Sequence, residues 1–83
     1  MRLRPSAIIA HVCRLHGVDI GEVCGPERNA RIVKAREMMA AMLRECTKLS
    51  LQEISMLMGR RDHNATWHRI RRFWAEYDAK WSE

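Results

Sequence analysis

Two groups of side chains in this 83-residue sequence have types and spacings that could do chemistry. The first is the stretch 59–74, GRRDHNATWHRIRRFW, which sets a Gly, two Arg, an Asp and a His side by side just ahead of a helix-like pattern. These are residue types that read nucleic acid. Asn bonds bidentately to adenine, Asp accepts from cytosine N4, an Ala methyl meets the thymine methyl, and guanidinium matches phosphate. The second is Cys13, His16 and Cys24, which have zinc-ligand chemistry but no fourth ligand and no recognised spacing. With Cys46 the cysteines are odd in number and form no CxxC pair, so they read as inert thiols, and no metal or disulfide framework is expected. No nucleophile, base and orienting group fall at a catalytic spacing, and no GxxxxGK[ST] phosphate loop is present. The expectation is a protein that is not an enzyme and that uses neither nucleotide nor cofactor.

Charge supports the first group. The net charge is +5, and residues 60–72 hold five Arg against one Asp. A second basic zone lies at 28–36. Clustered Arg on a small basic chain is the footprint of phosphate binding. No apolar run nears the roughly 18 residues that span a bilayer. His11 and Arg14 interrupt the N-terminal apolar run too early for a signal peptide. A soluble, cytoplasmic, nucleoid-associated protein of one domain over 1–83 is expected, with no membrane partner.

The elements that must position these residues are all helical, because no stretch alternates apolar and polar residues long enough for a strand. Pro5 starts the first helix, Ile8, Ile9, Val12, Cys13 and Leu15 or His16 mark its apolar stripe, and Gly17 stops it. Asp19 caps a short second helix, IGEVC. CGPERN is a loop in which Asn29 caps the third helix, whose stripe runs Ile32, Ala35, Met39, Met42 or Leu43, and Cys46. Arg31, Lys34, Glu37, Arg44, Glu45 and Lys48 lie mostly off that stripe.

Ser50 and Glu53 form a capping box ahead of a short helix with Leu51, Ile54, Leu57 and Met58 inward. Gly59 ends it, and Asp62 caps a last helix carrying Trp67, Ile70, Trp74, Tyr77 and Trp81 at helical spacing. Two helices joined by a short Gly turn over about 50–77 make a helix-turn-helix. In that motif the first residues of the second helix, here Asp62, His63, Asn64 and Ala65, reach base edges in the major groove. With Trp67 and Ile70 inward, Asn64, His68 and Arg72 share the opposite face. Arg60, Arg61, Arg69, Arg71 and Arg72 border it and can engage phosphate.

From about Ala7 to Phe73 the sequence resembles the C-terminal DNA-binding domain of the bacterial replication initiator family DnaA. GRRDHNATWH is similar to the family's Gly-Arg-Asp-His run with its following small hydroxylated residues and His, and LSLQEIS to its first motif helix. AREMMAAMLRECT looks like its long preceding helix. The resemblance implies an all-α fold of about five helices akin to the Trp repressor's, and sequence-specific binding of double-stranded DNA. It implies base reading by Asp62, His63 and Asn64, and a minor-groove role for Arg28. Positions at the DNA backbone or groove wall are implied for Arg36, Glu37, Arg44, Gln52, Ala65, His68, Arg69 and Arg72.

The sequence departs from that pattern at several places. Asn64 and Ala65 replace the usual Thr-Thr, Arg60 stands where a second Gly is usual, Gln52 replaces a Pro, and Glu37 replaces a neutral Gln. Changing one base or phosphate contact is worth about 1–3 kcal/mol, so the preferred site is expected to differ from the family's. Without a phosphate loop the sequence looks like the DNA-reading domain standing alone, of the kind a phage, prophage or accessory replication or transcription regulator would use. The sequence also fits a different class of function: an interaction module with the same fold that self-associates or binds a partner protein through its aromatic seam. Trp74, Tyr77 and Trp81 would then form a homodimer seam rather than pack back on the first helix.

Overall fold

The structure, a computed structural model, describes residues 4–60 and 63–81, with Lys80 and Trp81 described as helix backbone. Among these residues the chain forms five α-helices and no strand: α1 (Pro5–His16), α2 (Ile20–Cys24), α3 (Ala30–Cys46), α4 (Leu51–Leu57) and α5 (His63–Trp81). The local signals that set these boundaries act as their chemistry requires. Gly17 takes the left-handed conformation at φ 66°, and beyond it the Val18 N–H returns to Cys13 O at 3.0 Å, which closes α1. The Asp19 side chain accepts from Glu22 N–H, and Glu22 accepts in return from Asp19 N–H, a reciprocal cap on α2. Asn29 accepts from Ile32 N–H at 3.0 Å to open α3. Ser50 and Glu53 cap α4 reciprocally, as their spacing predicts.

α3 is the central element. Ile32, Ala35, Met39, Ala40, Ala41 and Leu43 are buried on it, and α1, α2, α4 and α5 all pack around it. Ile8 and Val12 of α1, Val23 of α2, Ile54 and Met58 at α4, and Ile70 of α5 complete one continuous core. Arg36 and Glu37 are also buried, at 4% and 2% exposure. The expectation that Glu37 lies off the apolar stripe is therefore corrected. A helix enclosed by four others has little outer face, so two charged residues enter the interior.

The phase of the last two helices differs from the sequence reading as well. On α4 the inward residues are Ile54, Ser55 and Met58, while Leu57 is 41% exposed. On α5 Thr66 is fully buried and Ile70 nearly so, while Trp67 is 42% and Tyr77 46% exposed. The reason is the bond that joins the two helices: Ser55 Oγ and Thr66 Oγ1 lie 2.5 Å apart in the interior. That contact turns the Thr66 face of α5 toward α4 and rolls the neighbouring Trp67 outward. Phe73 and Trp74 pack against the core edge. Among the described residues α5 packs on α3 and α4, and a groove lined by Leu15, His16, Phe73 and Tyr77 separates it from α1. No helix of the described residues is long and apolar enough to cross a membrane.

Candidate nucleic-acid interface

The turn between α4 and α5 is built by backbone hydrogen bonds. Gly59 sits at φ 70°, its N–H donates to Met56 O at 3.1 Å, and Arg60 N–H donates to Ser55 O at 2.8 Å. This αL termination reverses the chain directly after α4. A Cβ at Gly59 would stand 3.2 Å from Cys24 Cβ and 3.3 Å from Cys24 O, so the turn lies tight against the end of α2. Any other residue here meets both backbone strain and this close approach.

Two guanidiniums fasten that junction. Arg36 donates from Nε to Val23 O at 2.8 Å, and from Nη2 to Gly25 O at 2.6 Å and Glu22 O at 3.2 Å. Arg60 donates from Nη2 to Gly25 O at 2.8 Å and Val23 O at 3.4 Å. The carbonyl end of α2, which carries the negative end of the helix dipole and lacks intrahelical donors, thereby receives two cations from α3 and from the turn. Arg36, expected at the DNA backbone, is a buried clamp whose Nε and Nη2 are committed to α2. Its place was legible in the sequence only through phase: Ile32, Arg36, Met39 and Leu43 recur at 4, 3 and 4 residues, a buried stripe with one charged member.

The same junction gathers an arginine cleft of about 400 Å³, lined by Arg28 and Pro26 from the α2–α3 loop, Val33 and Arg36 from α3, Arg60 from the turn, and Arg69 and Arg72 from α5. Burial, then the charges of Arg60, Arg69 and Arg28, hold the Arg36 guanidinium below its usual pKa. Burial, then Arg60 and Arg72, do the same to Arg69, with Glu37 opposing. Arg72 Nη1 lies 3.3 Å from Glu37 Oε2, so this buried carboxylate neutralises part of the cleft wall.

The remaining candidate residues do not line this cleft. His63 and Asn64 open α5 with exposed side chains, Ala65 is half-buried and His68 is exposed. Arg61 and Asp62 lie outside the described residues, and with them the expected Asp62 cap. Gln52 is exposed in the first turn of α4. Arg44 is exposed in the last turn of α3, about 12 Å along the helix from Arg36 and away from the cleft. Sequence reasoning missed two features. Glu37 is buried beside Arg72, and Arg71 lies over the exposed Trp67 ring, 4.7 Å from its centroid. An i, i+4 pairing of aromatic and Arg was the available signal for the second. Among the described residues no group of three or more His, Cys, Asp or Glu could hold a metal ion, and Cys13, Cys24 and Cys46 are free thiols.

The helix-turn-helix described by these residues coincides with a known one: the family model for the bacterial DnaA protein helix-turn-helix matches residues 5–72. The chain belongs to this DnaA helix-turn-helix family. It is 36% identical over 69 residues to the chromosomal replication initiator protein DnaA of Thermomicrobium roseum, covering 83% of this chain and 15% of that protein. To the protein of the same name from Roseiflexus castenholzii it is 40% identical over 62 residues, or 75% of this chain and 13% of the relative. The Neisseria meningitidis DnaA is 34% identical over 64 residues, 77% of this chain and 12% of its own length. The chain thus spans only a small part of each of these DnaA relatives. No solved structure matches it.

Proposed function

We propose that this chain binds double-stranded DNA sequence-specifically through its helix-turn-helix. The observation that carries the reading is the convergence of Arg28, from the loop before α3, with Arg60, Arg69 and Arg72 of the helix-turn-helix on one cleft. That convergence supports a reading in which loop and recognition helix engage one stretch of duplex together. In this reading Asp62, His63 and Asn64 enter the major groove at the N-terminus of α5, where backbone donors and the helix dipole also favour a phosphate. Arg28 enters the neighbouring minor groove. Arg44, Gln52, Arg60, Arg61, Ala65, His68, Arg69 and Arg72 face the backbone or the groove wall, and Arg36 acts through the α2 junction it holds.

The relatives are named chromosomal replication initiator proteins. Carried to this chain, that name supports a regulator of replication with its DNA site at an origin; a regulator of transcription at a promoter would use the same DNA reading. The test is selection of preferred sites from a random duplex library at about 150 mM salt, where non-specific binding is already weakened. An enriched motif like that of the DnaA relatives supports action at their sites. A sharp but unrelated motif supports a re-targeted reader, with Asn64 and Ala65 responsible; it should then change in Asn64→Ala and His63→Ala. Absence of enrichment overturns specific reading and turns attention to the exposed aromatic residues as a protein-binding seam.

A further inference from the structure

The arginine cleft contains more positive charge than the fold uses. Arg36 is occupied by α2 carbonyls and Arg72 faces Glu37, but Arg60 Nε and Arg69 Nη1 are buried N–H groups with no acceptor among the described residues. Such orphan donors are rare in folded proteins, and charged ones are the most unfavourable. Arg60 cannot simply be swung away at no loss. Arg60 Nε is held in place because its Nη2 is bonded to Gly25 O at 2.8 Å. The mutual repulsion of Arg60, Arg69, Arg36, Arg28 and Arg72 adds to the deficit.

We propose that Arg60 Nε and Arg69 Nη1 are donors of a seat for one phosphate-type oxyanion, with Arg28 and Arg72 at its mouth. A tetrahedral oxyanion offers several acceptor oxygens to convergent guanidiniums, where a halide offers a single point. The cleft walls are chiefly Arg, which suits a hydrated anion and not an apolar ligand. Arg60 occupies a position at which the resemblance leads one to expect Gly, so the seat is a property of this chain's own residues. Two sources share the chemistry: a backbone phosphate of a duplex, and free inorganic phosphate. We assign the backbone phosphate, an assignment that rests on the DNA-binding reading above; the seat itself does not.

The first experiment measures the thermal midpoint in sodium phosphate against sodium chloride at matched pH and ionic strength, for the full chain and for Arg60→Gln and Arg69→Gln. The expected result is a saturable rise with phosphate that both variants lose while keeping their helical circular dichroism. No saturable rise, or an equal rise in both variants, overturns the seat. Should Arg60→Gln unfold, because Arg60 also ties the turn to α2, Arg69→Gln decides alone. The second experiment measures the salt dependence of binding to a random-sequence duplex, where Arg69→Gln should lower the slope by about one. A phosphate effect with an unchanged slope overturns the backbone assignment and leaves a free-anion seat. A phosphate effect in a chain that binds no duplex overturns the DNA-binding reading while the seat stands.

Discussion

The half-exposed guanidinium of Arg72 lies 3.3 Å from the buried carboxylate of Glu37, so a residue expected to touch DNA is partly neutralised from inside the protein. Glu37→Gln keeps the volume, removes the charge and frees Arg72. Duplex binding should tighten for every sequence, and the salt slope should steepen by up to about one unit. Arg72→Ala should do the reverse, weakening binding uniformly and lowering the slope by about one. Its effect on stability should be only about 1 kcal/mol, because Arg72 is 60% exposed and water reaches the place it vacates. Salt titrations and urea melts of the two variants check both statements.

The Ser55–Thr66 bond holds the Thr66 face of α5 against α4. Thr66→Val keeps the shape and should cost about 1 kcal/mol in urea unfolding, since Ser55 retains its bond to Leu51 O. In a double-mutant cycle with Ser55→Ala, the two changes should couple by about 0.5–1 kcal/mol. Strict additivity would show that the bond contributes nothing.

Arg36→Lys tests the clamp on α2. A lysine cannot present the planar fork that serves Glu22, Val23 and Gly25 carbonyls together. A loss of about 2–3 kcal/mol in stability is expected. The DNA sequence preference of the fraction that remains folded should be unchanged. A changed preference at undiminished stability would make Arg36 a DNA contact after all.

Trp67→Ala separates the two phases considered for α5. An inward Trp would cost about 3–5 kcal/mol on truncation. The observed Trp67, 42% exposed and covered by Arg71, should cost about 1 kcal/mol. Thermal or urea unfolding distinguishes these values directly.

His16 gives a pH dependence of known sign. Its ring faces Met38 Sδ at 3.2 Å, and burial lowers its pKa below the usual 6.5. Below 6.5 the unfolded chain takes up the proton more readily than the folded one. The His16 contribution is therefore intact above that value and is lost as pH falls through the lower folded pKa. Thermal midpoints from pH 8 to 5 should decline at the acid end, and His16→Met should flatten that part of the profile.

The sequence by itself determined where α2, α3 and α4 begin and where α1 and α4 end, because caps and glycine stops are local chemistry. Asp19, Asn29 and Ser50 each bond a backbone N–H three residues away, and Gly17 and Gly59 each take a positive φ that their missing Cβ permits. The helix-turn-helix and the exposed His63 and Asn64 at the head of α5 were legible for the same reason. Only the tertiary structure decided which way the helices are rolled and which charges are enclosed. Periodicity offers two neighbouring phases for α5, and the buried Ser55–Thr66 bond selects the one that exposes Trp67. Likewise no local pattern says that Glu37 enters the interior, and the phase that carries Arg36 inward does not say what it bonds there. That follows from four helices surrounding α3, from three carbonyls at the end of α2 that need donors, and from Arg72 arriving opposite Glu37. These partners lie far away in sequence, so their pairing is a property of the folded arrangement.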